Sequence, residues 1–251
     1  MPGRTAYDEG TPNWVELRTP EPEAARSFYG RLFGWTFGER PTSHEARAVK
    51  NGGFVAAIAS GPDAPATWNT YLNVADVDAA AARVEQGGGT LLTPPQDAGG
   101  EARTAFAADP TGATFGLWQA GAHIGATVVN EEGAFIWSEL MTAGRDAALP
   151  FYERVAGLTA RTVDLDGSPF TGLVAGEQMI GGIIPPQLES SVHRWIVYFA
   201  VRDAAEATER ARELGGTVVA GPVVTPVGPI SALLDPQGGA FSVWEFSGPT
   251  K

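Results

Sequence analysis

The residues best suited to chemistry are two carboxylates that recur in one setting. Glu16 stands two residues after Trp14, and Glu139 two residues after Trp137, at a common offset of 123 residues. A carboxylate held among aromatic rings is desolvated, so it keeps its proton more tightly and can act as a base or hold a ligand's hydroxyl. The same repetition also suits a structural ion pair or a hydrogen bond across a domain seam. Other candidates point away from catalysis. There is no cysteine, which excludes a disulfide framework, a zinc-thiolate site and a thiol nucleophile. His44, His123 and His193 match no ligand spacing and are expected on the surface or in loops. Asp109-Pro110 and Asp235-Pro236, each followed two residues on by glycine, read as turns. Gly87-Gly88-Gly89 follows a helical pattern, so it caps a C-terminus and cannot cradle phosphate. Neither a Gly-x-Ser-x-Gly elbow nor a Walker motif is present.

The elements that must position these residues are themselves repeated. Trp14, Glu16, Leu17, Thr19 and Phe28-Tyr29 return without a gap as Trp137, Glu139, Leu140, Thr142 and Phe151-Tyr152. Trp68, Tyr71, Val74 and Asp76 return as Trp195, Tyr198, Val201 and Asp203, and the Asp-Pro turn with Phe115 and Trp118 returns with Phe241 and Trp244. Such order marks a duplication. It divides the chain into domains 1–122 and 123–251. Apolar spacing predicts helices over 22–33, 77–86, 145–156 and 203–214, each closed by glycine or a break in pattern. Alternation predicts strands at 14–19, 35–39, 45–50, 53–59 and 68–74, with others near 90–92, 103–107 and 114–119, and the same series again from 135. The order is βαβββ four times, an α+β architecture.

Composition limits the partners. A net charge of -12 over 251 residues, with no basic cluster, argues against nucleic acid and anionic membrane surfaces. Met1 to Gly10 lacks the order of a signal peptide, and no apolar run is long enough to span a membrane, so a cytoplasmic protein is expected.

Paired βαβββ units, a helix carrying Phe28-Tyr29 before Leu32-Phe33-Gly34-Trp35, and an Asp-Pro-x-Gly turn before the last strand resemble the glyoxalase/bleomycin-resistance/extradiol-dioxygenase group, the vicinal-oxygen-chelate superfamily. The chain is most similar to tandem glyoxalase-like proteins of high-G+C bacteria, some of which are labelled antigens and others "hydroxylase" beside aromatic antibiotic pathways. The resemblance implies two domains whose mixed sheets curl into cups, with one metal ligand on each of four strands in catalytic members. Those positions here hold Trp14, roughly Ala57, Asn69 and Gly116, then Trp137, roughly Gly182, Ile196 and Ser242. These cannot assemble the several N/O ligands a divalent ion needs, so no metal and no cofactor is expected.

Because ligand positions face the cup, residues two apart from them do too. The inward sets are Trp14, Glu16, Arg18, Asn69, Tyr71, Asn73 and Trp118 in the first cup, and Trp137, Glu139, Met141, Tyr198 and Trp244 in the second. Val15, Leu17, Leu72, Phe115, Val197, Phe199, Phe241 and Val243 then belong to the helix side, as do Trp68 and Trp195. Small residues such as Ala56, Ala57, Gly116, Gly181 and Gly182 should leave room. A Trp-Tyr-Trp set in each cup suits a small planar aromatic or hydrophobic ligand. Three functions follow. One is a metal-free binder that sequesters a metabolite or antibiotic, as resistance members of the family do, with the fused domains replacing a two-chain dimer or the chain forming a homodimer. Another is a metal-independent enzyme, or an accessory protein to one, tailoring an aromatic natural product, with Glu16 or Glu139 as base and Asn69, Tyr71 or Tyr198 stabilising an enolate or phenolate. The third is a structural or interaction protein whose cups are filled by their own side chains.

Overall fold

Pro22 opens the first helix, where its fixed φ fits and no N–H is required. That helix, α1 (Pro22–Phe33), ends at Gly34, whose φ of 70° is left-handed. Its buried face is Ala25, Phe28, Tyr29 and Phe33, at helical spacing. The computed structural model describes residues 3–38, 45–61, 65–186 and 192–246; His44 lies outside them. The strands of the first sheet are β1 (Pro12–Thr19), β2 (Thr36–Phe37), β3 (Glu45–Lys50), β4 (Gly53–Ser60), β5 (Thr67–Asn73), β6 (Thr90–Asp97), β7 (Ala102–Ala108) and β8 (Thr114–Ala120), with α2 (Val77–Gln86) between β5 and β6. The second sheet has β9 (Phe135–Met141), β10 (Thr159–Leu165), β11 (Ser168–Ala175), β12 (Gln178–Ile184), β13 (Arg194–Val201), β14 (Thr217–Thr225), β15 (Gly228–Leu234) and β16 (Ala240–Glu245), with α3 (Arg145–Ala156) after β9 and α4 (Ala204–Glu213) after β13.

Each sheet is mixed and eight-stranded, in the orders β2-β3-β4-β1-β5-β8-β7-β6 and β10-β11-β12-β9-β13-β16-β15-β14. Two βαβββ units meet in each: β1 runs parallel to β4 and antiparallel to β5, and β5 runs parallel to β8. The second sheet repeats this with β9, β12, β13 and β16. The α+β architecture expected from the repeat is therefore present. Edge strands β6 and β14 run several residues further than their alternation suggested. Pro94 and Pro95 sit within β6, and register shifts interrupt both strands, so their hydrophobic signal is diluted.

The helix-bearing faces of the two sheets meet, which leaves the opposite faces pointing outward. One core joins Phe28, Tyr29 and Phe33 of α1 to Phe199, Phe241 and Val243 of the second sheet. The other joins Phe115 and Leu117 of the first sheet to Phe151 and Tyr152 of α3. Trp68 and Trp195 lie in these cores, as their strand parity required. Because each core draws on both sheets, neither half buries its helix face alone. Asp109 and Asp235 hold their turns: each Oδ1 accepts backbone N–H groups from the residues that follow.

Candidate functional site

The two outward cups differ in what fills them. In the first, Trp14 pairs across the strands with Tyr71, and Tyr71 with Gly116. Tyr71 lies directly over that glycine, where an added Cβ would sit 1.9 Å from its ring. Gly116 thus admits a ring from its own sheet and leaves no open space. Trp118 stands 5.7 Å from Tyr71 and 6.2 Å from Trp14. The centre is closed by His123, on the segment joining the two sheets. Its ring meets Trp14 edge-on at 4.8 Å and Trp118 edge-on at 5.1 Å, with Phe54 at 5.4 Å. Trp118 Nε1 donates to the His123 carbonyl at 3.1 Å. His123 is a loop residue, as expected, but only 4% exposed. Its burial depends on the linker's path, and its single sequence signal is being five residues past Trp118. His193, by contrast, is partly exposed beside Thr142 Oγ1 at 2.9 Å.

The mouth of the first cup is a charge network. Glu16 Oε1 accepts from Arg18 Nε at 2.7 Å and from Tyr71 Oη at 3.3 Å, while Asn69 Nδ2 donates to the Glu16 carbonyl at 3.4 Å. Arg47 ion-pairs with Glu101 and, at 3.5 Å, with Glu45, and lies 5.4 Å from the centre of the Phe54 ring. Glu16 is therefore a paired carboxylate under its own side chains.

The second cup keeps the carboxylate but not the closure. Trp137 Nε1 donates to Glu139 Oε1 at 3.2 Å, and Tyr198 Oη donates to Oε2. Burial pushes the Glu139 carboxyl above the usual carboxylate range, against the opposing effect of these two donors. Burial likewise raises the Tyr198 phenol, so it remains a donor. Trp137 and Trp244 meet edge-on at 6.4 Å, and Trp244 Nε1 donates to the Val227 carbonyl at 2.8 Å. Where Trp14 and Trp118 are 1% and 6% exposed, Trp137, Glu139, Ile196 and Trp244 remain partly exposed. A cavity of about 270 Å³ opens beside the two indoles, bounded also by Arg4, Tyr7, Met179 and Phe246. Phe170 lies over Gly182, whose added Cβ would be 2.2 Å from that ring, so this glycine too receives a side chain.

A divalent ion needs several converging donors. Trp14, Ala57, Asn69 and Gly116 offer one amide, and Trp137, Gly182, Ile196 and Ser242 offer one hydroxyl. Among the described residues no three His, Cys, Asp or Glu side chains gather to hold a metal. The residues present do not fit the metal of catalytic family members.

Residues 11–117 match the model of the Glyoxalase/Bleomycin resistance protein/Dioxygenase superfamily. CFP32 of Mycobacterium tuberculosis, provisionally named a glyoxylase, is 45% identical over 254 residues, covering 97% of this chain and 97% of its own. The anthracycline biosynthesis protein DnrV of Streptomyces peucetius is 36% identical over 268 residues, covering 96% and 95%. Among solved structures, the Mn(II)-bound glyoxalase from Novosphingobium aromaticivorans superposes with a TM-score of 0.66 at 15% identity, covering 96% of this chain and 84% of that one. Homoprotocatechuate 2,3-dioxygenase from Arthrobacter globiformis gives 0.65 at 16% identity, covering 95% and 80%. At such identities the structural likeness speaks for the fold alone.

Proposed function

This chain belongs to the Glyoxalase/Bleomycin resistance protein/Dioxygenase superfamily, and within it we propose a metal-independent binding protein that takes a planar hydrophobic metabolite or antibiotic into its second cup. The observation that carries this reading is the asymmetry of the cups. His123 fills the first between Trp14 and Trp118, whereas Trp137 and Trp244 border open space in the second. In this proposal Trp137, Tyr198 and Trp244 contact the ligand, and Trp14, Arg18, Asn69, Tyr71 and Trp118 belong to the closed cup. The relative DnrV, an anthracycline biosynthesis protein, directs the choice of probe to fused aromatic rings. Burying such rings against two indoles contributes roughly 25 cal/mol per Å² of apolar surface, before ordering costs. Sequestration by a single chain follows, since two interlocked cores already join the halves as a second chain would. Among the described residues no helix is long and apolar enough to cross a membrane; a cytoplasmic setting remains part of the proposal.

The test is intrinsic tryptophan fluorescence during titration with an anthraquinone. Quenching that saturates in the parent and is lost in Trp244→Ala is expected. Equal quenching in parent and variant would remove the second cup as the site.

A second reading draws on Glu139 alone. A partly exposed carboxyl with a raised pKa, hydrogen-bonded to a phenol, is a candidate general base for tailoring an aromatic natural product. Incubation with hydroxyanthraquinones, followed by mass spectrometry of the products, separates the two: a new product made by the parent and not by Glu139→Gln would favour the enzyme.

A further inference from the structure

The two cups hold the same carboxylate in different electrostatic settings. In the first sheet Arg18 pairs with Glu16 at 2.7 Å, and the cross-strand row through Glu16 reads Arg47, Ala57, Glu16, Asn69. The matching row of the second sheet reads Gly172, Gly182, Glu139, Ile196, and Met141 stands where the repeat has Arg18. Both arginines of the first cup are thus replaced, one by a thioether and one by a hydrogen atom.

Glu139 is left with two neutral donors, Trp137 and Tyr198. Among the described residues no ion pair involves it. Arg161 and Arg194 share its face by register but are exposed, and neither bonds to it. Each of its oxygens accepts one hydrogen bond and has capacity for another. A desolvated carboxylate without a counter-cation is costly, and a cation brought by a ligand would offset that cost. The surroundings favour a cation twice over. Indole and phenol faces attract ammonium groups, and a net charge of -12 draws cations toward the protein.

We infer that the second cup selects planar aromatic molecules bearing a basic amine, whose ammonium takes against Glu139 the place that Arg18 takes against Glu16. This rests on the planar-ligand reading above. The cavity wall is formed by Trp137 and Trp244, and the partly exposed Glu139, two residues on from Trp137, lies beyond that lining. Arg4 also lines the cavity, 5.3 Å from the centre of the Tyr7 ring, and with the exposed Arg161 and Arg194 would favour an acidic ligand instead.

Three probes with one ring system decide the matter by calorimetry: 2-(aminomethyl)anthraquinone, its N-acetyl amide, and anthraquinone-2-carboxylate. The amine should bind about tenfold tighter than the amide, with the carboxylate weakest. Glu139→Gln should bring the amine down to the amide's affinity. Met141→Arg should do the same by supplying an internal counter-cation, and Glu16→Gln should leave the preference intact. If Met141→Arg does not fold, Glu139→Gln carries the decision. Equal binding of amine and amide, or tightest binding of the carboxylate, overturns the amine inference and leaves the planar-ligand reading standing. No binding of any probe overturns both.

Discussion

Tyr29 donates its hydroxyl hydrogen to Asp235 Oδ2 at 2.8 Å, linking α1 of the first half to the last turn of the second. The reciprocal bond runs from Tyr152 to Asp109 Oδ2 at 3.1 Å. Each tyrosine also accepts from an indole, Trp68 at 2.8 Å and Trp195 at 2.9 Å. Burial raises both phenols well above their usual range, so both stay protonated as donors. Tyr29→Phe or Tyr152→Phe would strand a buried indole N–H and deprive a carboxylate of its donor. Each should lower stability by about 1–3 kcal/mol, measured by urea denaturation, with ligand affinity unchanged. Loss of affinity without loss of stability would show that the seam communicates with the cup.

The first cup should behave as core. Trp118→Ala should cost about 3–5 kcal/mol, as deletion of a buried indole does elsewhere. His123→Ala should cost a comparable amount by leaving a void between Trp14 and Trp118. Trp244→Ala, at a partly exposed site, should cost less than either. Thermal melts of the three variants give the order, and a tolerated Trp118→Ala beside a collapsed Trp244→Ala would reverse the assignment of closed and open cups.

Glu139 gives a pH signature. Its folded-state pKa lies above the ordinary value of 4.5 because burial disfavours the charged form. Folding therefore favours its protonated state. That stabilisation is fully present below the unfolded value and is lost as pH rises through the folded one. Glu139→Gln lacks this dependence, so its stability relative to the parent should rise as pH increases above the ordinary carboxylate value of 4.5. Parallel denaturation curves at several pH values check this, and a difference that shrinks with rising pH would mean the carboxylate is favoured as an anion.

Metal content is a simple check on the donor sets. Protein purified without chelator should carry less than about 0.1 equivalent of Ni, Zn, Fe or Mn, since structural or catalytic sites need at least three protein ligands. Turnover of the methylglyoxal–glutathione adduct should accordingly be absent or residual. A stoichiometric metal in elemental analysis would mean that donors outside the two quartets converge.

Much of the fold was legible because its signals are local. The bounds 22–33, 77–86 and 145–156 match α1, α2 and α3, where apolar spacing coincides with a Pro start, an Asp76 cap or a glycine stop. Val15, Leu17, Phe199 and Phe241 lie in the helix-side core, as alternation and apolar character together require: alternation leaves two choices of face and apolar character selects one. What escaped was non-local. Nothing near His123 says that the linker turns back into the cup. Small residues such as Gly116 and Gly182 suggest open space in the sequence, but Tyr71 and Phe170 fill it, which depends on rotamers of distant residues. The Tyr29–Asp235 bond left a trace, because Tyr, Trp and Asp recur together in both halves, but recurrence alone does not say that partners are exchanged between them.

The most direct measurement is the crystal structure of the protein saturated with 2-(aminomethyl)anthraquinone. We expect one ligand per chain, its rings against Trp137 and Trp244, with the His123 ring still seated between Trp14 and Trp118. Ligand density between Trp14 and Trp118, with His123 displaced, would contradict the assignment of the second cup as the binding site.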